Sequence, residues 1–200
     1  MQPETSLLTV GLAAALLSTI AFANSADVIS CDVTDEEFTR IVGLSLQDFD
    51  QNPGDGWRPY YESGCYEQAA QLLTAYMAGY PDRIGHYMLP FHAGQMYAMN
   101  NEYEKAERFM REAYSPRDSA KIDWNAFVDA NIAFLRKDRA MLLRMRQRIA
   151  KQPEMTEAMG APEWAVGKKM NLDVVDGFIA CFDEPYSVAY DDECRAIPIR

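Results

Sequence analysis

The chain has 200 residues, with 30 Asp and Glu against 19 Lys and Arg and a net charge of −11. That length suits one domain with its own core and leaves little room for a second of full size. An apolar fraction of 48% argues against disorder throughout, and the negative balance argues against nucleic acid as a partner.

Leu7 to Phe22 is an apolar, Ala- and Leu-rich run, and Ala21-Phe22-Ala23 offers an A-x-A cleavage site. Residues 1–23 therefore read as a signal peptide, although Met1–Ser6 contains no Lys or Arg. The run falls short of the roughly 20 residues that span a bilayer. The expectation is export to the periplasm or the medium, with residues 24–200 as one domain and no stable membrane insertion after cleavage. Export gives Cys31, Cys65, Cys181 and Cys194 a role as disulfides. Three pairings are possible. We favour Cys31–Cys65 and Cys181–Cys194, because each pair lies within one end of the chain. No C-x-x-C pair is present, so redox catalysis and a zinc ribbon both lack their usual spacing. Val28-Ile29-Ser30-Cys31 partly resembles a lipobox, but Asp27 intrudes and the apolar run has already ended at Ala23.

Thr34-Asp35-Glu36-Glu37 has the form of a capping box, followed by Phe38, Ile41, Val42 and Leu44 on one helical face. Gln51-Asn52-Pro53-Gly54-Asp55-Gly56 is a dense turn signal. Trp57 to Pro81 then reads as a hairpin with a short first helix, its second helix carrying the stripe Tyr66, Ala69, Ala70, Leu73 and Tyr76. From Tyr87 to Pro116 a better-formed hairpin places Ala93-Gly94 and Tyr97 on one side of Asn100-Asn101. Tyr103, Ala106, Met110 and Ala113 lie on the other side. Small residues there let two helices approach closely. Ser115-Pro116 predicts the start of another helix, with Ser as cap. Its face would be Trp124, Phe127, Val128, Ala130, Phe134 and Leu135, with Ala140 to Ile149 as its partner. After a polar linker from Gln152 to Pro162, Asn171 is placed to cap a last helix over residues 171–183, burying Leu172, Val175, Phe178, Ile179 and Phe182.

Gly64-x-Tyr66-x-x-Ala69 ending at Pro81, and the fuller pattern from Phe91 to Ala113, resemble tetratricopeptide repeats. The interval from Tyr66 to Tyr103 is 37 residues (103 − 66), against about 34 in that family. The surplus is assigned to the loop Pro81–Gly85. The resemblance implies an all-α chain of antiparallel hairpins at about 57–81, 87–116 and 117–151, stacked as a short right-handed solenoid with helices capping both ends. It also implies an inner face, lined by the first helix of each unit, that binds a protein or peptide segment. Position by position that face would hold Arg58, Tyr61, Glu62, Met88, Phe91, His92, Gln95 and Met99, with Asn131 from the third unit.

Other chemistry is sparse. His92, Met96 and Met99 fall at i, i+4 and i+7, a thioether and imidazole set suited to Cu(I), with His86 and Met88 nearby; otherwise no cofactor is indicated. The packing alternative is a Met-rich core face. Arg136 to Lys151 is the one strongly basic stretch, expected as a solvated face with internal ion pairs. No G-x-S-x-G, H-E-x-x-H or phosphate-binding glycine loop occurs, and Asp173 with Asp176 fits ordinary helix-start chemistry. The reading is a binding protein rather than an enzyme, with a small-ligand or Cu(I) binder and a hydrolase as alternatives.

Overall fold

The computed structural model describes residues 30–80, 87–116 and 122–199. The expected signal peptide, the loop Pro81–Gly85 and His86 lie outside the described residues.

Thr34 caps α1 (Asp35–Val42) by accepting from the Glu37 N–H at 3.2 Å. Only half of the capping box forms, because the Glu37 carboxylate turns to Arg40 at 2.8 Å, and Arg40 also reaches Asp55 at 2.8 Å. A π-helical turn (Gln47–Gln51) follows, then α2 (Arg58–Glu62) and α3 (Tyr66–Gly79). The second hairpin is α4 (Met88–Met99) and α5 (Tyr103–Glu112), and the third is α6 (Trp124–Leu135) and α7 (Arg139–Ile149). Two 3-10 turns lead to α8 (Leu172–Ala180), α9 (Tyr186–Ala189) and α10 (Asp192–Arg195). The fold is all-α, with no strand among the described residues. No helix there is long and apolar enough to cross a membrane.

Each helix from α3 to α8 packs on the next in chain order, and α1 and α2 both rest on α3. The α4–α5 seam depends on small residues. A Cβ on Gly94 would stand 2.7 Å from Met110 Cγ and 3.0 Å from the Ala106 carbonyl oxygen, so the two axes close to a distance that only glycine allows. Ala93, Ala106 and Ala113 are fully buried along the same seam, and Tyr97 stacks on Phe109 with centroids 5.3 Å apart. Between hairpins, Phe91 of α4 meets Trp124 and Phe127 of α6 at 4.8 and 5.3 Å.

Three expectations need correction. The helix predicted from Ser115-Pro116 begins instead at Trp124, where the Asp123 carboxylate accepts from the Ala126 N–H; Ser115 is held in the preceding loop by the side chain of Asn125. Asn171 precedes α8 at a φ of +65° and makes no side-chain cap bond, and α8 stops at Ala180 rather than 183. Finally, α8 is not the last helix. The acidic tail folds back as α9, which lies against α4 and α8, and α10, which lies against α8.

Both favoured disulfides are present, Cys31–Cys65 with S–S 1.93 Å and Cys181–Cys194 with S–S 1.96 Å. They fit an oxidising compartment. Three of the seven cations in the basic stretch pair with carboxylates of the same chain. Arg136 pairs with Glu107 at 2.5 Å, Arg146 with Asp176 at 2.5 Å and Arg148 with Asp123 at 3.0 Å. Asp173 is taken by Arg195, so Asp173 and Asp176 serve as structural partners for arginines.

Candidate functional site

The site starts at a chain reversal. Gly56 (φ +67°) lets the backbone double back over the π-helical turn, bringing Trp57 and Arg58 onto Asp50. The Trp57 indole Nε1–H donates to Asp50 Oδ1 at 3.1 Å, the Gln51 amide donates to Oδ2 at 2.5 Å, and Arg58 Nε–H donates to the Asp50 carbonyl at 2.5 Å. His92, arriving on α4, sets Nδ1 at 2.8 Å from the same Oδ1. Asp50 and His92 are only 4% and 7% exposed, so this is an internal polar cluster rather than a surface pair.

Burial pushes the Asp50 carboxyl upward, but the hydrogen bond and charge of His92, with the donors on Trp57 and Gln51, outweigh it and hold the group below its ordinary 3.8. An ionised carboxylate only accepts, so the shared proton sits on His92 Nδ1, and in the neutral ring Nε2 carries the lone pair. A carboxylate with a lowered folded pKa stabilises the fold at pH above its unfolded value, and the contribution disappears as pH falls through the lowered one. Asp50→Asn is therefore expected to lose about 1–3 kcal/mol at neutral pH. The gap to wild type should narrow as pH drops below 3.8. Urea titrations of both proteins at a series of pH values check this; a gap that stays constant into acid would contradict it.

Beside the cluster lies a cleft of two joined hollows. The inner one, ≈ 140 Å³, is bounded by Trp57, Arg58 and Tyr61 on the α2 side and by His92, Gln95, Met96 and Met99 on α4. The outer one, ≈ 250 Å³, shares Tyr61, Met99 and Tyr190 and continues to Asp191 and Arg195. The Tyr61 phenol is pushed up to about 12 by burial and by its neighbour Tyr190, so it stays a neutral hydroxyl. Gln95 donates its amide to the Tyr190 hydroxyl at 3.0 Å, which fastens the tail to α4.

No family model, curated protein or solved structure matches this chain.

Of the eight residues assigned to a binding face, the cleft gathers Arg58, Tyr61, His92, Gln95 and Met99. The other three stand elsewhere. Phe91 is 2% exposed and belongs to the packing between α4 and α6. Glu62 is exposed at the end of α2, and Met88 borders another hollow, lined also by Leu46, Gln47, Asp50 and Gln51. Asn131 is buried completely, donating to the Phe127 carbonyl at 2.8 Å and accepting from the Tyr186 hydroxyl at 2.6 Å. It anchors the tail and is not a surface for ligand.

Sequence reasoning missed Asp50, Trp57 and Tyr190. Asp50 is one of nine carboxylates between Asn24 and Cys65, and nothing in that run marks it as the internal one. The available hint was Gly56 next to an indole, since a glycine-permitted reversal beside a large aromatic signals backbone folded onto backbone. His92, Met96 and Met99 all border the inner hollow. Among the described residues no three His, Cys, Asp or Glu side chains gather as a metal set.

Proposed function

We propose that the protein is an exported binding module that takes a short protein or peptide segment in the cleft between α2, α4 and the folded-back tail. The observation carrying this is that five residues assigned to a groove from repeat-like spacing alone meet in one cleft, although α2 and α4 are separated by the whole of α3. The segment must be short. The face shared by α4, α6 and α8 is already covered by Tyr186 and Tyr190, which leaves the cleft open toward its α2 end.

The chemistry of the walls suits such a guest. Tyr61, Tyr190 and Met99 offer broad, adaptable contact surface. Arg58 spends Nε on the Asp50 carbonyl, and its two terminal nitrogens have no carboxylate partner among the described residues. In a chain of net charge −11 such an arginine is a natural receiver for a carbonyl or carboxylate of the segment. The apolar leader with its A-x-A site and the two disulfides support export. The hairpin pattern supports a tetratricopeptide-like mode of recognition by analogy of form.

A displayed peptide library panned against the oxidised protein tests the reading. Selected peptides should lose about tenfold or more in affinity, roughly 1.4 kcal/mol, with Arg58→Glu and with Tyr61→Ala. Trp164→Ala, at a site 64% exposed and outside the cleft, should leave them unchanged. Peptides held equally well by both cleft variants would remove the proposal.

A further inference from the structure

We infer that His92, Met96 and Met99 form a site for one Cu(I) ion on the α4 wall of the inner hollow. The inference goes beyond segment binding and does not depend on it.

The imidazole is prepared as a ligand. Its Nδ1–H is committed to Asp50 Oδ1, and that carboxylate is itself held by Trp57 and Gln51, so tautomer and ring direction are both fixed. A carboxylate behind the ring is what orients metal-binding histidines and raises the basicity of the free nitrogen. Nε2 has no hydrogen-bond partner among the described residues. Yet no buried side-chain nitrogen or oxygen is left both sealed and unpartnered, so Nε2 is open to the hollow that His92 borders.

Two thioethers share that hollow. Met96 lies one turn beyond His92 and Met99 two turns beyond, on the same side of α4; both are core side chains, 2% and 6% exposed, that border the same space. Their three rotatable bonds let the sulfurs close on an ion without moving the helix. All four cysteines of the chain are in disulfides, so no thiolate competes, and thioether is the sulfur donor that remains.

Charge then selects the ion. Imidazole and thioether bind a metal as uncharged donors, both Asp50 oxygens are already occupied, and the Arg58 guanidinium stands in the same hollow. The repulsion an entering cation meets there doubles from a monovalent to a divalent ion. Soft sulfur with imidazole favours Cu(I) in any case, while Zn(II), Ca(II) and Mg(II) are offered too few suitable donors.

Anaerobic titration of the oxidised protein with Cu(I), against a chromophoric Cu(I) chelator, tests this, with Ag(I) as an air-stable probe in parallel. One equivalent of each should bind, Zn(II) should not displace it, and Ag(I) should shift the NMR signal of His92 Nε2 rather than Nδ1. Met96→Leu and Met99→Leu change the core volume little, and each should weaken binding about tenfold or more, with the pair together abolishing it. Failure to bind either ion at stoichiometric concentration overturns the inference. So does binding that survives the paired Met variant, or a shift at Nδ1.

Discussion

Tyr186→Ala is expected to destabilise the protein by about 3–5 kcal/mol and to uncover the face that α4 and α6 share. Tyr186 is completely buried, with its ring 5.2 Å from Phe178, 5.6 Å from Tyr190 and 6.0 Å from Phe134. Its hydroxyl donates to Asn131 Oδ1 at 2.6 Å, and its backbone N–H donates to the Tyr103 hydroxyl at 3.3 Å. Truncation empties a cavity among aromatic rings and strips a buried amide oxygen of its donor. Tyr186→Phe separates the two effects: it keeps the ring, loses only the hydrogen bond to Asn131, and should cost about 1–3 kcal/mol. Urea titrations of both variants provide the check. Equal losses would mean that the ring contributes no packing, and the tail would then be a loose cover rather than part of the core.

The same tail shows where sequence pattern stops being informative. The α4–α5 seam was legible because its cause is local and periodic: Ala106, Met110 and Ala113 fall at helical spacings on α5, and the small volumes of Gly94, Ala106 and Ala113 have one geometric use, the close approach that lets Met110 pack against Gly94. The disulfides were legible because four cysteines clustered in two ends leave few pairings. Tyr186 was not. It sits in a four-residue helix, too short for a periodic stripe, inside an acidic stretch that resembles a solvated end. Its partner Asn131 likewise looked like a groove residue, because a polar side chain on the first helix of a hairpin is as consistent with a ligand as with a buried internal bond. The start of α6 was misplaced for a related reason: Ser115-Pro116 and Asp123 both carry cap chemistry, and the choice between them is made by tertiary contacts of Trp124, whose indole N–H donates to the Ala113 carbonyl at 2.7 Å. Local codes place helices; long-range polar partners decide which faces stay open.

Gly56→Ala should cost about 3 kcal/mol or more and should dismantle the cleft as well as weaken the fold. The positive φ of +67° already penalises any side chain there, and an added Cβ would stand 2.0 Å from the Phe49 carbonyl oxygen and 2.7 Å from its carbon. Those atoms are backbone and cannot rotate aside, so the reversal itself must open. Phe49 is followed by Asp50, the residue that joins Trp57 to His92, so opening the contact between residues 49 and 56 pulls directly on that junction. Gly64→Ala supplies the control: its φ is +75°, but no atom lies within 4 Å of the added Cβ, so it bears the conformational penalty alone, about 1–2 kcal/mol. Denaturant titration of the two variants, together with the NMR signal of the His92 Nδ1–H, measures both consequences. Gly56→Ala should be the less stable by a clear margin and should lose that signal, whereas Gly64→Ala should keep it. Matching stabilities with the signal intact in both would mean that the close approach of residues 49 and 56 does not hold the Asp50–His92 pair, and the cleft would need another foundation.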